Sequence, residues 1–227
     1  MVTVPEILYE DNHLIAVNKR ISDIVQGDRT GDVSLDKILK DFIRKRDSKP
    51  GNVFMGIPHR LDRPVSGVMV FAKTSKALSR MNALFRDKKT VKIYWAIVRN
   101  HPPEEAATLV HYLRKNEKQN KSYPCSPDSP GAKEASLSYR LAGASENYFL
   151  LEVELHTGRH HQIRAQLAAI GCPIKGDLKY GFPRSNKSGG ISLHAREISF
   201  THPVKGTPLQ IVAKPPADDI FGTFPRP

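Results

Sequence analysis

The chain has 227 residues, 39% hydrophobic and 26% charged, with a formal net charge of +12 and a pI near 9.7. That is enough for one sizeable core or two small ones in an ordinary globular composition. No apolar stretch is long enough to span a membrane, and the start "MVTVPEILYEDN" lacks the basic-then-apolar order of a secretory signal, so a cytoplasmic protein is expected.

Two cysteines, Cys125 and Cys172, are too few for a disulfide scaffold or a four-cysteine zinc site. The histidines show no H-E-x-x-H spacing, so no metal is expected. The excess of positive charge points to a polyanion as partner, because each phosphate contacted releases condensed counterions.

In chain order, "HLIAVNK" reads as a short strand. "VSLDKILKDFIRKR" reads as a helix, with apolar residues at near-helical spacing and a basic end suited to a helix C-terminus. "SGVMVFAK" is a buried strand. "TSKALSRMNALFRDKK" is a helix that Thr74 or Ser75 can cap, its apolar face made by Leu78, Met81, Leu84 and Phe85. "TVKIYWAIVRN" is a strand with Val91, Ile93, Trp95 and Ile97 on one face and Lys92, Tyr94, Ala96 and Val98 on the other.

The polar, lysine-rich residues 115–133 read as a long mobile loop. "EASLSYRLA" and "NYFLLEVELHT" alternate and form a hairpin around "AGASEN". "RHHQIRAQLAAIG" is a helix with Ile163, Leu167 and Ile170 inward and Gly171 as terminator. Residues 183–190 are a second flexible loop, and "ISLHAREISFTHP" and "TPLQIVAKPP" a last strand pair. Strands joined by hairpins, with few helices, predict an α+β fold with a mostly antiparallel sheet and flanking helices. No internal linker is visible, so one domain over 1–227 is expected.

Three places stand out for chemistry. In "HRLDRPVSG" (59–67), Arg60 and Arg63 flank Asp62 just before an apolar strand. A carboxylate at a core edge beside guanidinium groups stays ionised and can act as nucleophile or base without a metal. A structural ion pair is the bland alternative. In "HTGRHHQIR" (156–164), Arg159, His160, His161 and Arg164 fill what reads as the first turns of a helix starting at Thr157 or Gly158. Cations oppose the dipole there, so an anion, carboxylate or phosphate, is expected against that end; a solvated basic face is the alternative. Tyr94 shares a strand face with Lys92, an aromatic ring beside a cation that suits an unstacked base, or else a sheet tyrosine with a bonded hydroxyl.

Taken together, "HRLDRPVSGVMVFAKT", "VKIYWAIV" and "LHTGRHHQIRAQLAAIGCPIKGDLKYG" resemble, in order, the signature segments of the RluA-type pseudouridine synthases. The resemblance extends from "DNHLIAVNK" to "LHAREISFTHPVKGTPLQIVAKPP". It implies the pseudouridine synthase catalytic fold and isomerisation of uridine to pseudouridine in structured rRNA or tRNA, without metal or cofactor. Asp62 matches the catalytic aspartate, Tyr94 the tyrosine that stacks on the target base, and Arg164 the arginine that pairs with the aspartate. Arg60 matches an arginine that helps displace the target from the RNA stack, and Ile163 a residue lining the uracil pocket. His59, Leu61, Lys92, Arg159 and His161 complete the expected substrate-binding set. Val65, His160 and Arg20 stand where relatives often have threonine, threonine or serine, and proline.

Flipping the uridine costs a few kcal/mol. A glycosidase needs a second carboxylate to activate water, whereas rejoining the base excludes water, so one carboxylate suffices. Many relatives carry a separate N-terminal RNA-binding domain; here the first strand begins too early for one, and a monomer is the default expectation. Two other classes compete: a non-catalytic RNA-binding or RNA-folding protein on the same fold, and a carboxylate glycosidase acting on nucleosides.

Overall fold

A computed structural model describes residues 3–27, 31–48 and 50–224. The chain divides into two compact units, one from Met1–Thr90 and Arg196–Lys214, the other from Val91–Ala195 and Pro215–Pro227.

In the first unit, β1 (Ile7–Glu10), β2 (Leu14–Lys19) and β3 (Ser66–Ala72) pair antiparallel in that order. Every residue of β3 is buried, as an uninterrupted run of apolar and small residues requires. Helix α1 (Leu35–Arg46) buries Leu35, Ile38, Leu39 and Ile43 and ends on Arg44, Lys45 and Arg46, where cations suit the dipole. Helix α2 (Ser75–Arg86) is capped by Thr74, whose hydroxyl accepts the Ala77 amide (3.1 Å). Late in the chain, β9 (Leu193–Thr201) and β10 (Pro208–Val212) pair antiparallel over residues 197–201 and 208–212. The core of this unit joins both stretches of chain: Leu14, Val68, Val70 and Met81 pack with Ile198, Phe200 and Ile211.

In the second unit the antiparallel order is β4 (Thr90–Val98), β8 (Phe149–Leu155), β7 (Lys133–Ala144), β5 (Ala106–Asn116) and β6 (Lys121–Cys125). Tyr94 stands opposite Val153 and Trp95 opposite Glu152, so the two aromatics leave the sheet on opposite faces. Trp95, Ile97 and Leu150 are covered by Phe221 and Phe224 from the C-terminal tail. The fold is α+β, as expected.

Two sequence expectations need correction. Residues 115–133 contain β6 and the end of β5, which form a hairpin paired from Tyr112–Cys125 to Asn116–Lys121. Helix α3 spans only Gln162–Ala169, so Arg159, His160 and His161 precede it and Ile170 is its C-cap. Its end matches the reading: Gly171 adopts φ +79°, and the amides of Gly171 and Cys172 bond to Ala168 O and Leu167 O.

Candidate active site

The "HRLD" segment lies in the first unit as the loop entering β3. His59 anchors it: Nε2 accepts the Val70 amide (3.0 Å) and the ring stacks on Phe85 at 4.9 Å. Arg60 is exposed, Leu61 buried and Asp62 half-buried. Asp62 O accepts the Val65 amide (3.1 Å), closing a tight turn over Arg63 and Pro64. The Arg63 guanidinium reaches Asp32 (2.7 Å).

Beneath this turn lies Lys19, the last residue of β2, with no exposed surface. Its ammonium donates to three carbonyls, those of Arg20 (3.0 Å), Arg63 (3.1 Å) and Val65 (2.7 Å). Burial lowers its pKa to about 8, with partial opposition from Asp23 and Asp62 and a further lowering from Arg63. Two of the three acceptors lie within three residues of Asp62, so Lys19 braces the loop that carries it. Sequence reading passed over Lys19 because a lysine ending a strand ordinarily reaches water.

The second unit holds the remaining expected residues. On β4, Tyr94 is buried and Lys92 half-buried, and desolvation pulls the Lys92 ammonium below its ordinary value. Arg159 is exposed and its Nε donates to Glu134 O (2.8 Å). His161 is buried in the left-handed region (φ +53°), a conformation that costs a β-carbon-bearing residue about 1 kcal/mol or more. Tyr180 holds it there: the Tyr180 hydroxyl lies 3.0 Å from His161 Nδ1, donates to Ser122 O (3.1 Å) and accepts the Ser122 amide (2.9 Å). His160 stacks on His161 at 3.8 Å, with Nδ1 2.9 Å from Ser122 Oγ.

Because His161 is bent back, Gln162 ties the approach to α3. Its Oε1 accepts the Arg159 amide (2.9 Å) and the Thr157 hydroxyl (2.7 Å), and its Nε2 donates to Ser136 O (3.0 Å). Ile163 and Arg164 follow, both buried. Arg164 Nε and Nη2 meet the two oxygens of Asp177 at 2.7 and 2.8 Å, a fork on a carboxylate that is itself 1% exposed. The same guanidinium lies over the Tyr180 ring, 5.1 Å from its centroid. The resemblance pairs Arg164 with the catalytic aspartate; the carboxylate described on its side chain here is Asp177. Asp177 lies in the quoted segment "KGDLKYG", where sequence reading assigned it no role; the structure places it between two glycines at positive φ, Gly176 and Gly181.

Among the described residues no group of three or more His, Cys, Asp or Glu is placed to hold a metal ion. No helix among them is long and apolar enough to cross a membrane.

Residues 13–169 match the model of the RNA pseudouridylate synthase family, a stretch that contains "HRLDRPVSG", "VKIYWAIV" and "GRHHQIR". The chain belongs to that family. Similar curated proteins include an uncharacterized RNA pseudouridine synthase of Synechocystis, 34% identical over 93% of this chain and 66% of its own length. A ribosomal large subunit pseudouridine synthase C of Rickettsia prowazekii is 34% identical over 92% of this chain and 68% of its own length. A tRNA pseudouridine synthase C of Vibrio parahaemolyticus is 34% identical over 95% and 92%. The chain thus spans about two thirds of the first two relatives' length. Among solved structures, human RNA pseudouridylate synthase domain containing 4 aligns with a TM-score of 0.77 at 25% identity, covering 93% of this chain and 88% of that one.

Proposed function

We propose that this member of the family is an RNA pseudouridine synthase that isomerises uridines in rRNA or tRNA, with Asp62 as its catalytic carboxylate. The observation that carries the reading is the family match over residues 13–169, which includes "HRLD" and "GRHHQIR" in their expected order.

The proposed chemistry is an exchange at one sugar carbon. The bond from C1′ to uracil N1 breaks, the detached base turns, and a bond from C1′ to uracil C5 forms; the C5 proton is lost and the N1 side is protonated, so the product is an isomer. Asp62 acts on the sugar as nucleophile or base. Tyr94 stacks on the base, Arg164 supplies fixed positive charge, and Ile163 lines the uracil pocket. Arg60, exposed on its loop, is suited to fill the space left in the RNA stack. Lys92, Arg159 and His161 join His59 and Leu61 in the proposed RNA-contacting set. The positive charge of the chain favours polyanion binding that weakens steeply with salt.

The test is a map of pseudouridines, by chemical labelling, in rRNA and tRNA from cells with and without the protein. One or a few sites are expected to disappear on deletion and to return with the wild-type gene but not with Asp62→Asn. If no site changes, the activity falls and RNA binding without catalysis takes its place. If Asp62→Asn restores the sites, Asp62 leaves the mechanism.

A further inference from the structure

The second unit carries a buried carboxylate that the proposed reaction does not use. Asp219 lies in the C-terminal tail, with its side chain 4% exposed. Its two oxygens accept the Ser192 hydroxyl (3.0 and 2.8 Å), and Oδ1 also accepts the Ile220 amide (2.7 Å). Ser192 Oγ accepts in turn from Asn186 Nδ2 (3.1 Å), and Asn186 Oδ1 accepts from Lys175 Nζ (2.7 Å). Lys175 Nζ also lies 3.5 Å from Asp219, which closes the ring of four side chains.

This ring encloses the turn leading to Asp177. The Ser192 amide donates to Lys175 O (2.9 Å), and the Lys175 amide to Ile97 O on β4 (2.8 Å). Gly176 follows at φ +87°, and a β-carbon there would meet the Asn186 amide group at 2.7–2.8 Å. Asn186 therefore lies directly on the Gly176 backbone, one residue before the carboxylate that grips Arg164.

We propose that Asp219 is a positioning residue for Arg164: the tail carboxylate, acting through Ser192, Asn186 and Lys175, fixes the 174–177 turn that holds Asp177 against the guanidinium. The inference rests on Arg164 being part of the reaction site only for its effect on turnover; its effect on Arg164 itself is independent of that reading. Physically, a bidentate pair aims a guanidinium only as well as its carboxylate is held. A ring in which each member is bonded, with Ser192 and the Asp219 carboxylate buried and Lys175 and Asn186 half-buried, supplies that rigidity, and removing one member leaves its neighbours unsatisfied.

The experiment follows the Nε–Hε resonance of Arg164 in the full-length protein, identified by its loss in Arg164→Lys. In Asp219→Ala its exchange with solvent is expected to speed up at least tenfold, while resonances of the first unit are unchanged. Asp219→Asn, which keeps an acceptor for Ser192 and Ile220, is expected to restore most of the protection. Ser192→Ala cuts the same link, is expected to act in the same direction with a smaller effect, and decides the matter if Asp219→Ala does not fold. On an unmodified transcript carrying a mapped target uridine, Asp219→Ala is expected to slow single-turnover conversion about tenfold at unchanged RNA affinity. In an Asp177→Asn background the same change is expected to slow it no further. Unchanged Arg164 exchange in both tail-link variants, or fully additive rate losses, overturns the proposal. If Arg164 exchange responds but the wild type converts no uridine, the positioning stands and the proposed activity falls.

Discussion

Each unit buries one cation at the residues of interest, and the two are held in different ways. Lys19 is surrounded by neutral main-chain carbonyls, whereas Arg164 is gripped by a carboxylate and backed by an aromatic ring. Carbonyls from three separate residues cannot all be reached unless the backbone that carries them is correctly folded, so Lys19 fixes the shape of a loop. A carboxylate fork fixes the direction of a charge. The difference shows in proton affinity: without a counter-ion in contact, burial lowers Lys19 to about 8, from an ordinary value of 10.5. Guanidinium groups, by contrast, do not lose their proton in proteins. Shape is held by a group that can become neutral, and charge by one that cannot.

The largest effect is expected where that charge loses its partner. Asp177→Asn leaves Arg164 buried beside a neutral amide and should cost roughly 3–5 kcal/mol in stability, read by urea unfolding; a loss below about 1 kcal/mol would erase the distinction between the two cations. Next comes Lys19→Met, which strands the carbonyls of Arg63 and Val65 and should cost roughly 2–4 kcal/mol. Asp62 is expected to lose activity with it, since its loop is no longer braced; full turnover in a folded Lys19→Met protein would limit Lys19 to stability alone.

The pH dependence sharpens the contrast. Between the folded value of about 8 and the ordinary 10.5, the unfolded chain holds the Lys19 proton more tightly than the native one. The unfolded state then binds more protons, so raising the pH through this window favours folding. Below about pH 8 both states are protonated and the contribution is flat. The stability gap between wild type and Lys19→Met should therefore widen in favour of wild type by up to about 3 kcal/mol from pH 8 to 10.5. Denaturant titrations at stepped pH check this, and a constant gap would mean that Lys19 does not titrate there. The smallest expected effect is that of Gly176→Ala, about 1–2 kcal/mol from its positive φ and the approach of Asn186. It should also loosen the Asp177 grip on Arg164, measured by the exchange of the Arg164 side-chain proton.

The elements legible in the sequence were those whose burial follows a period. Helices α1 and α2 and the β7–β8 hairpin follow theirs, and β3 is a continuous apolar run. Strands β5 and β6 escaped because much of β5 and the turn to β6 is exposed and polar, which is also how a loop reads. The start of α3 was misplaced because His161 takes a conformation with no local sequence signal, and Gln162, an unremarked glutamine, ties the approach. Asp62, Tyr94 and Arg164 drew roles from the motifs, while Lys19, Asp177 and Tyr180, which lie inside the quoted segments, drew none. Their importance lies mainly in contacts made across 13 to 58 residues, which no local periodicity reports.

The division of the chain between its units has a consequence for synthesis. The first unit needs residues 196–214 for its core, and the second needs Phe221 and Phe224 to cover Trp95. A growing chain delivers each piece after the rest of its unit. At roughly 5–20 residues per second, the early strands β1–β3 wait many seconds on the ribosome with apolar faces uncovered, until residues 196–214 emerge to complete their core. A nascent chain stalled before residue 196 presents Leu14, Val70 and Met81 without their late partners, the kind of surface that chaperones hold. For this fold, the order of emergence makes each core wait for a segment far downstream of its first strands.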